Sequence, residues 1–367
     1  MSERSEQNPS SPSPFPETEG PETEGPETEG GVIADDGAGF HAGERAVQDL
    51  YGLGARMAAI GPQVLRDHMP DQHRLFFMAL PFVLVGSVDA GGLPWASLLA
   101  GPAGFIQAPD PRVLSITATI PAGDPLADHL VPGAALGLLG IVPETRRRNR
   151  LNGRVLRVRS PAEMDAEGAA PAAIDPAALC IDILVDQCFG NCPRFIRPRV
   201  AAPGRGGMTQ TPPVTMADRL SPAALEMIAA ADTLFVASAA DSRASGRAAG
   251  VDVSHRGGPR GFAVVEADGA ITVPDYAGNR YFNTLGNMVL RPAAGILVPD
   301  FLTGDLLSLS GDVEIIWQGP ELRRHPGAER LWRLRPRRVI HMAGAWGARL
   351  RETGGRVMGI GVDGVPA

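Results

Sequence analysis

The chain has 367 residues, 44% of them hydrophobic, with a net charge of −7 and a pI near 5.6, which is long enough for two core-forming units of ordinary size. The acidic balance argues against a general nucleic-acid or anionic-membrane binder, and three cysteines fit a reducing compartment without a disulfide framework. No apolar run reaches the roughly eighteen residues of a membrane span, and the opening MSERSEQNPSSPSPF has no apolar signal region, so a cytoplasmic protein is expected.

Residues 1–35 are mostly Pro, Ser, Glu, Thr and Gly, with PETEG repeated from Pro16 to Gly30. Such a segment buries too little apolar surface to offset its ordering entropy and is expected to be disordered. A helical lead-in follows over 36–74, with Ala46, Leu50, Leu53, Met57 and Ile60 at helix-like spacing. Residues 75–165 read as a strand-rich unit. A linker over 166–220 carries the strand CIDILVDQCFGNC and a loose Gly/Pro stretch, and a second strand-rich unit spans 221–320. A C-terminal strand and tail occupy 321–367. The two units repeat in kind: the segment from Pro81 matches that from Leu234, and the segment from Leu130 matches that from Leu290. ETRRRNRLNGR, from Glu144, reads as the turn and start of the closing hairpin of unit one, with Asn152–Gly153 as its turn. It lacks the interleaved aromatics of an RNA-binding patch.

Residues 250–317 carry the most chemistry. Leu307, Leu309, Val313 and Ile315 alternate with Ser308, Ser310, Asp312 and Glu314, the period of a half-buried strand, broken at Gly311. Between the strands Ala270–Val273 and Gly295–Val298 lies PDYAGNRYFNTLGN, a polar turn that brings Asn279 and Arg280 to the start of a helix. Free helix N–H groups beside a guanidinium and an amide make a phosphate clamp. The matching turn of unit one, ATIPAGDPLADH, has no cation and puts Asp124 and Asp128 there instead. Cys188 and Cys192 form a CxxxC with no second ligand pair, so structural thiols are expected. His41 and Glu44 read as a helix cap. No Ser-His-Asp order, GxSxG, Walker loop or GxGxxG is present.

The layout resembles the FMN-binding split β-barrel of the pyridoxamine 5′-phosphate oxidase family, most of all a branch with HxGE, RRRNRxNG, FGNCP and DVSHRGG signatures. These read here as His41–Glu44, Arg146–Gly153, Phe189–Pro193 and Asp252–Gly258, and the resemblance runs from about residue 40 to about 340. It implies a mainly β fold with short helices, built as two tandem split barrels. Barrels of this family usually pair as homodimers, so a chain with two of them would close the pair within itself as a pseudo-dimer, or pair again as a homodimer. It implies FMN as cofactor, with Asn279 and Arg280 on the phosphate. Ser254, His255 and Arg256 would lie along the flavin, either His255 alone or the Ser254–Arg256 pair by strand parity. Tyr276 would pack on the ribityl chain, Thr284 would be a weaker contact, and Arg147, Arg148 and Asn149 would reach across from the hairpin of unit one.

The resemblance further implies an oxidoreductase, with the flavin carrying the chemistry and reduced nicotinamide, another small molecule or a separate reductase as electron donor. Two other readings stand beside it. One is a flavin-binding protein without turnover; the other is a haem protein using His325 or His341 as axial ligand.

Overall fold

The computed structural model describes residues 39–167, 175–202, 213–240, 247–354, 357–361 and 366; the PETEG tail lies outside them. Helices α1 (Ala42–Leu50), α2 (Gly54–Val64) and α3 (Asp71–Met78) lead into β1 (Phe82–Val88), β2 (Pro94–Ala100), β3 (Ile106–Asp110), β4 (Val113–Ala118), β5 (Ala135–Val142) and β6 (Arg147–Arg159). After α4 (Pro161–Ala166) come β7 (Leu179–Gly190), β8 (Arg199–Ala201), β9 (Val214–Ala217) and α5 (Pro222–Ala230). The second half holds β10 (Thr233–Ala239), β11 (Val251–Gly257), β12 (Val264–Val265), β13 (Ile271–Tyr276), α6 (Asn283–Leu290), β14 (Ala293–Pro299), β15 (Leu306–Ile316), β16 (Ala328–Met342) and β17 (Leu350–Glu352).

One sheet runs β2-β1-β5-β6-β7-β4-β3 and the other β11-β10-β14-β15-β16-β13-β12. Adding nine to each strand number of the first gives the second. The chain is therefore mainly β with short helices, two tandem split barrels of one topology. The unit boundaries read from sequence are corrected at two places. The supposed linker strand β7 sits between β6 and β4, and β16, assigned to the C-terminal region, sits between β15 and β13. Each supplies the hydrogen-bond partner that a long hairpin strand needs on its outer edge. Asn152–Gly153 is likewise no turn. The hairpin turns over 143–146, where Arg146 takes φ 61°, and Asn152–Gly153 is a bulge within β6. Gly153 is needed there because a Cβ would lie 2.2 Å from the Leu184 carbonyl oxygen.

Each barrel has its own apolar interior, the first around Phe77, Leu138 and Ile183 and the second around Val236, Leu309 and Trp332. A third core joins them: Leu84, Trp95, Leu98 and Leu139 of unit one pack with Phe235, Val253 and Leu297 of unit two. The seam is reciprocal. Gly137 pairs with Gly86, and its counterpart Gly295 pairs with Ala237. A Cβ on Gly137 would lie 2.4 Å from the carbonyl oxygen of Val251, the first residue of β11. On Gly295 it would lie 2.3 Å from that of Pro94, the first residue of β2. Each unit thus receives the start of the other's second strand against a glycine. This contact also buries the polar face of β15, where Ser308 and Ser310 donate to the carbonyls of Ala96 (3.4 Å) and Pro94 (2.6 Å). The strand read as half-buried is covered on both faces over this stretch.

The approach of the two backbones gives a symmetric expectation. Gly137→Ala and Gly295→Ala should each lower unfolding free energy by about 1–3 kcal/mol, as overpacking does. Gly347→Ala, with nothing within 4 Å of its Cβ position, should stay within about 0.5 kcal/mol. Urea denaturation of the three variants checks this, and equal stability of all three would mean that the seam does not need its glycines.

Candidate functional site

A cavity opens where the barrels meet. It is lined by Arg148 and Arg150 of β6, Asn191 beyond β7, Ser254, His255 and Arg256 of β11, and Asp275 and Tyr276 of β13. The turn Gly278–Arg280, the start of α6 and Glu329 of β16 complete it. Four guanidiniums and two carboxylates line it, an excess of two positive charges. The floor is the N-terminus of α6. Phe282, in the left-handed region at φ 60°, precedes the helix and no side chain caps it, while Asn283, Thr284 and Leu285 of the first turn line the cavity. Uncapped N–H groups there add a further positive pole.

The side chains are held from several elements. Asn279 Oδ1 accepts from the Tyr281 N–H (3.2 Å) and its Nδ2 donates to Asn191 Oδ1 (3.2 Å), which ties the turn to the FGNCP segment. Arg280, at φ 67°, forks onto Glu329 through both terminal nitrogens. Arg256 pairs with Asp275 at 3.2 Å. Arg150 donates to Ser254 Oγ and, at 2.9 Å, to Asp252 Oδ1; Thr284 Oγ1 donates to Ser254 Oγ at 2.9 Å. Asp252 also accepts from Asn152 (2.8 Å) and Asn287 (2.9 Å), and Asn287 Oδ1 meets His41 Nε2 at 2.8 Å. His41 is indeed the cap of α1, in a capping box with Glu44.

The electrostatics show what is lacking. Burial, and then the neighbouring Arg150 and Arg256, push the Arg148 guanidinium down to about 9, and burial lowers Arg256 as well. His255 is held well below the usual imidazole range, first by burial and then by Arg148, Arg199 and Arg256, so it is neutral. Among the described residues, Nε of Arg148, Arg150 and Arg256 and Nδ1 of His255 are buried without a partner. Burial also raises the Tyr276 hydroxyl to about 12. Buried guanidiniums that repel one another and each keep an unpartnered Nε are stabilised by an anion. The cavity has a volume of about 80 Å³ and is open to solvent on one side.

Of the residues singled out in the sequence, the cavity gathers Ser254, His255, Arg256, Tyr276, Asn279, Arg280, Thr284 and Arg148. On β11, Ser254 and Arg256 share a face, while the His255 ring also packs edge-on against Phe235. Two are corrected. Arg147 points away and lies over the Phe76 ring at 5.3 Å, and Asn149 is buried opposite Gly190 and does not line the cavity. Strand parity explains both, since Arg148 and Arg150 take the inward face; Arg150 was missed although it shares the parity of Arg148. Glu329 had no sequence signal beyond its strand. Cys192 does not line the cavity, and Cys188 is buried with its Sγ 3.1 Å from His73 Nδ1. Neither His325 nor His341 lines it; His341 lies 3.2 Å from Asp305. Among the described residues no cluster of His, Cys, Asp or Glu could hold a metal ion, and no helix is long and apolar enough to cross a membrane.

At the corresponding position of unit one the charged lining is not repeated among the described residues. By register, Trp95, Ser97 and Leu99 correspond to Asp252, Ser254 and Arg256, while Leu306 and Ser308 correspond to Arg148 and Arg150. Asp124 fills the place, accepting from Ser97 Oγ (2.5 Å) and the Leu126 N–H (2.9 Å).

No family model matches the chain, and no curated protein matches it. Solved structures similar to it include a Lactobacillus delbrueckii protein named provisionally as a pyridoxamine 5′-phosphate oxidase, at 17% identity and TM-score 0.28, covering 34% of this chain and 98% of its own. The haem storage protein HutZ of Vibrio cholerae matches at 16% identity and TM-score 0.24, over 34% of this chain and 95% of its own. An F420 reductase matches at 15% and 0.21, over 32% and 95%.

The filled position makes a pH prediction. Burial raises Asp124 to about 6, above the ordinary 3.8, so the folded state binds this proton more tightly than the unfolded chain. Stability then falls as pH rises from about 4 to about 6 and is level above, by up to about 3 kcal/mol from this group. Asp124→Asn keeps both accepted hydrogen bonds and should remove that slope. Urea midpoints at pH 4.5 and 7.5 check it, and an unchanged slope in the variant would assign the dependence to other groups.

Proposed function

We propose that the chain is an FMN-binding oxidoreductase with one flavin site per chain, the phosphate held in the cavity at the seam. The observation that carries this reading is the excess of two positive charges at an uncapped helix N-terminus, which complements a phosphate monoester of charge −1.5 to −2. Nε of Arg148, Arg150 and Arg256, each without a partner, and the first-turn N–H groups of α6 are free donors. Arg256 and Arg280 supply charge from within their ion pairs, and Asn279 fixes the turn between them. Residues of both units line the site, so it exists only when the seam is closed. Bound flavin would supply hydride and electron transfer, with reduced nicotinamide or a separate reductase as the donor. The protein would contribute orientation and charge.

Fluorescence titration with FMN and riboflavin tests the reading. Arg148→Ala and Arg280→Ala should each weaken FMN binding by about 1.5–3 kcal/mol, the range for a charge-assisted bond, and leave riboflavin binding unchanged. Arg147→Ala should change neither. Equal loss for FMN and riboflavin, or none, would move the phosphate elsewhere. Loss of the flavin absorbance on adding reduced nicotinamide anaerobically separates a catalyst from a protein that only holds the cofactor.

A further inference from the structure

A second and larger cavity, about 630 Å³, opens at the other end of the seam. Ser254 and Arg256 of β11 line the first cavity, whereas Gly250 and Val251, where that strand starts, line this one. Helix α6 begins at the first, and its C-cap, Arg291, stands in the second. Val88 and Ala239 both line it, and they are equivalent residues. Each lies two beyond the residue, Gly86 or Ala237, that pairs with a seam glycine. The cavity therefore straddles the approximate two-fold between the barrels and takes its wall from both.

Its walls are small and apolar, with five alanines and two glycines, and among the described residues no carboxylate lines it. Three guanidiniums do, those of Arg154, Arg247 and Arg291. Arg154 is paired with Asp186 at 2.7 Å and Arg247 with Asp67 at 2.9 Å, so these two are compensated. His129, lowered first by burial, lies 3.0 Å from Ser87 Oγ and adds no charge at neutral pH. Arg291 is different. Its Nη1 donates to the Gly92 carbonyl oxygen at 3.0 Å, and among the described residues it meets no carboxylate. The C-terminal end of α6 offsets at most about half a charge. One half-buried cation is thus left facing an apolar space of the size that small-molecule sites have.

We propose that this cavity is a second ligand site, which takes an organic monocarboxylate with an apolar body. A carboxylate pairs with the Arg291 nitrogens that Gly92 leaves free, and the body lies against the alanines. A dianion would leave its second charge without a partner among apolar walls. The site is separate from the phosphate cavity and does not rest on the flavin reading.

Calorimetric titration of the full chain with 1-naphthoate and with the neutral 1-naphthamide tests this. The wild type should prefer the carboxylate by at least about tenfold, as a charge-assisted bond gives. Arg291→Gln should remove that preference by weakening naphthoate alone, and Arg291→Lys, which keeps the charge, should restore part of it. Ala249→Trp, which fills the space from its rim, should weaken both compounds by about tenfold or more. Excess inorganic phosphate should leave naphthoate affinity unchanged. If Arg291→Gln does not fold, the comparison of the two compounds and Ala249→Trp still decide. Equal affinity for carboxylate and amide, no binding of naphthoate, indifference to Ala249→Trp, or displacement of naphthoate by phosphate would each overturn the inference.

Discussion

The seam depends on the buried contact between Arg150 of the first barrel and Asp252 of the second. Both are nearly inaccessible to water, so their solvation is lost and must be replaced atom by atom. Asp252 does this with Arg150, Asn152 and Asn287; Arg150 adds Ser254 and lies over the Phe189 ring at 5.5 Å. The arrangement spans β6, β11 and α6 and continues through Asn287 to His41 at the head of α1. A carboxylate so satisfied specifies one relative position of the barrels, because a shift of either strand would leave a buried charge unpaired. The apolar seam core gives area; this contact gives register.

Close approach is the second constraint, and it explains which residues stand around the first. Gly43 and Gly286 let α1 lie directly on α6, since a Cβ on either would fall within 2.5 Å of the other helix. Helix α6 therefore presents its first turn to the cavity while its flank is covered by α1. Asn283 and Asn287, on that flank, hydrogen-bond to Glu44 and His41. The lead-in helix thus acts as a brace for the floor of the site.

Much of this was legible in the sequence, and the failures have physical causes. The turn chemistry around Asn279 and Arg280 was readable because a polar segment between two apolar strands leaves few alternatives. Arg148 was readable, and Arg150 was within reach had the parity been carried two residues further. Asn152–Gly153 misled because the same dipeptide suits a hairpin turn and a bulge, and only pairing on both sides of β6 decides between them. The strands β7 and β16 were displaced from their units because strand order in a sheet is not written in local periodicity. Ser308 and Ser310 looked solvent-facing for a similar reason: small polar residues that meet another unit's carbonyls have the pattern of residues that meet water.

The doubling of the barrel within one chain has a consequence for how the protein can change. In a symmetric dimer every substitution is made twice, so a residue good for one copy of a site is imposed on the other. Here the two copies are separately encoded. Trp95 could therefore replace the charge that Asp252 supplies, and Leu306 and Ser308 could stand where Arg148 and Arg150 do, without change to the charged cavity. One composite position at the seam has kept its charged lining, from both halves, and its counterpart has not. The tether also keeps the halves together at any dilution, so the cavity between them need not wait for an encounter to form.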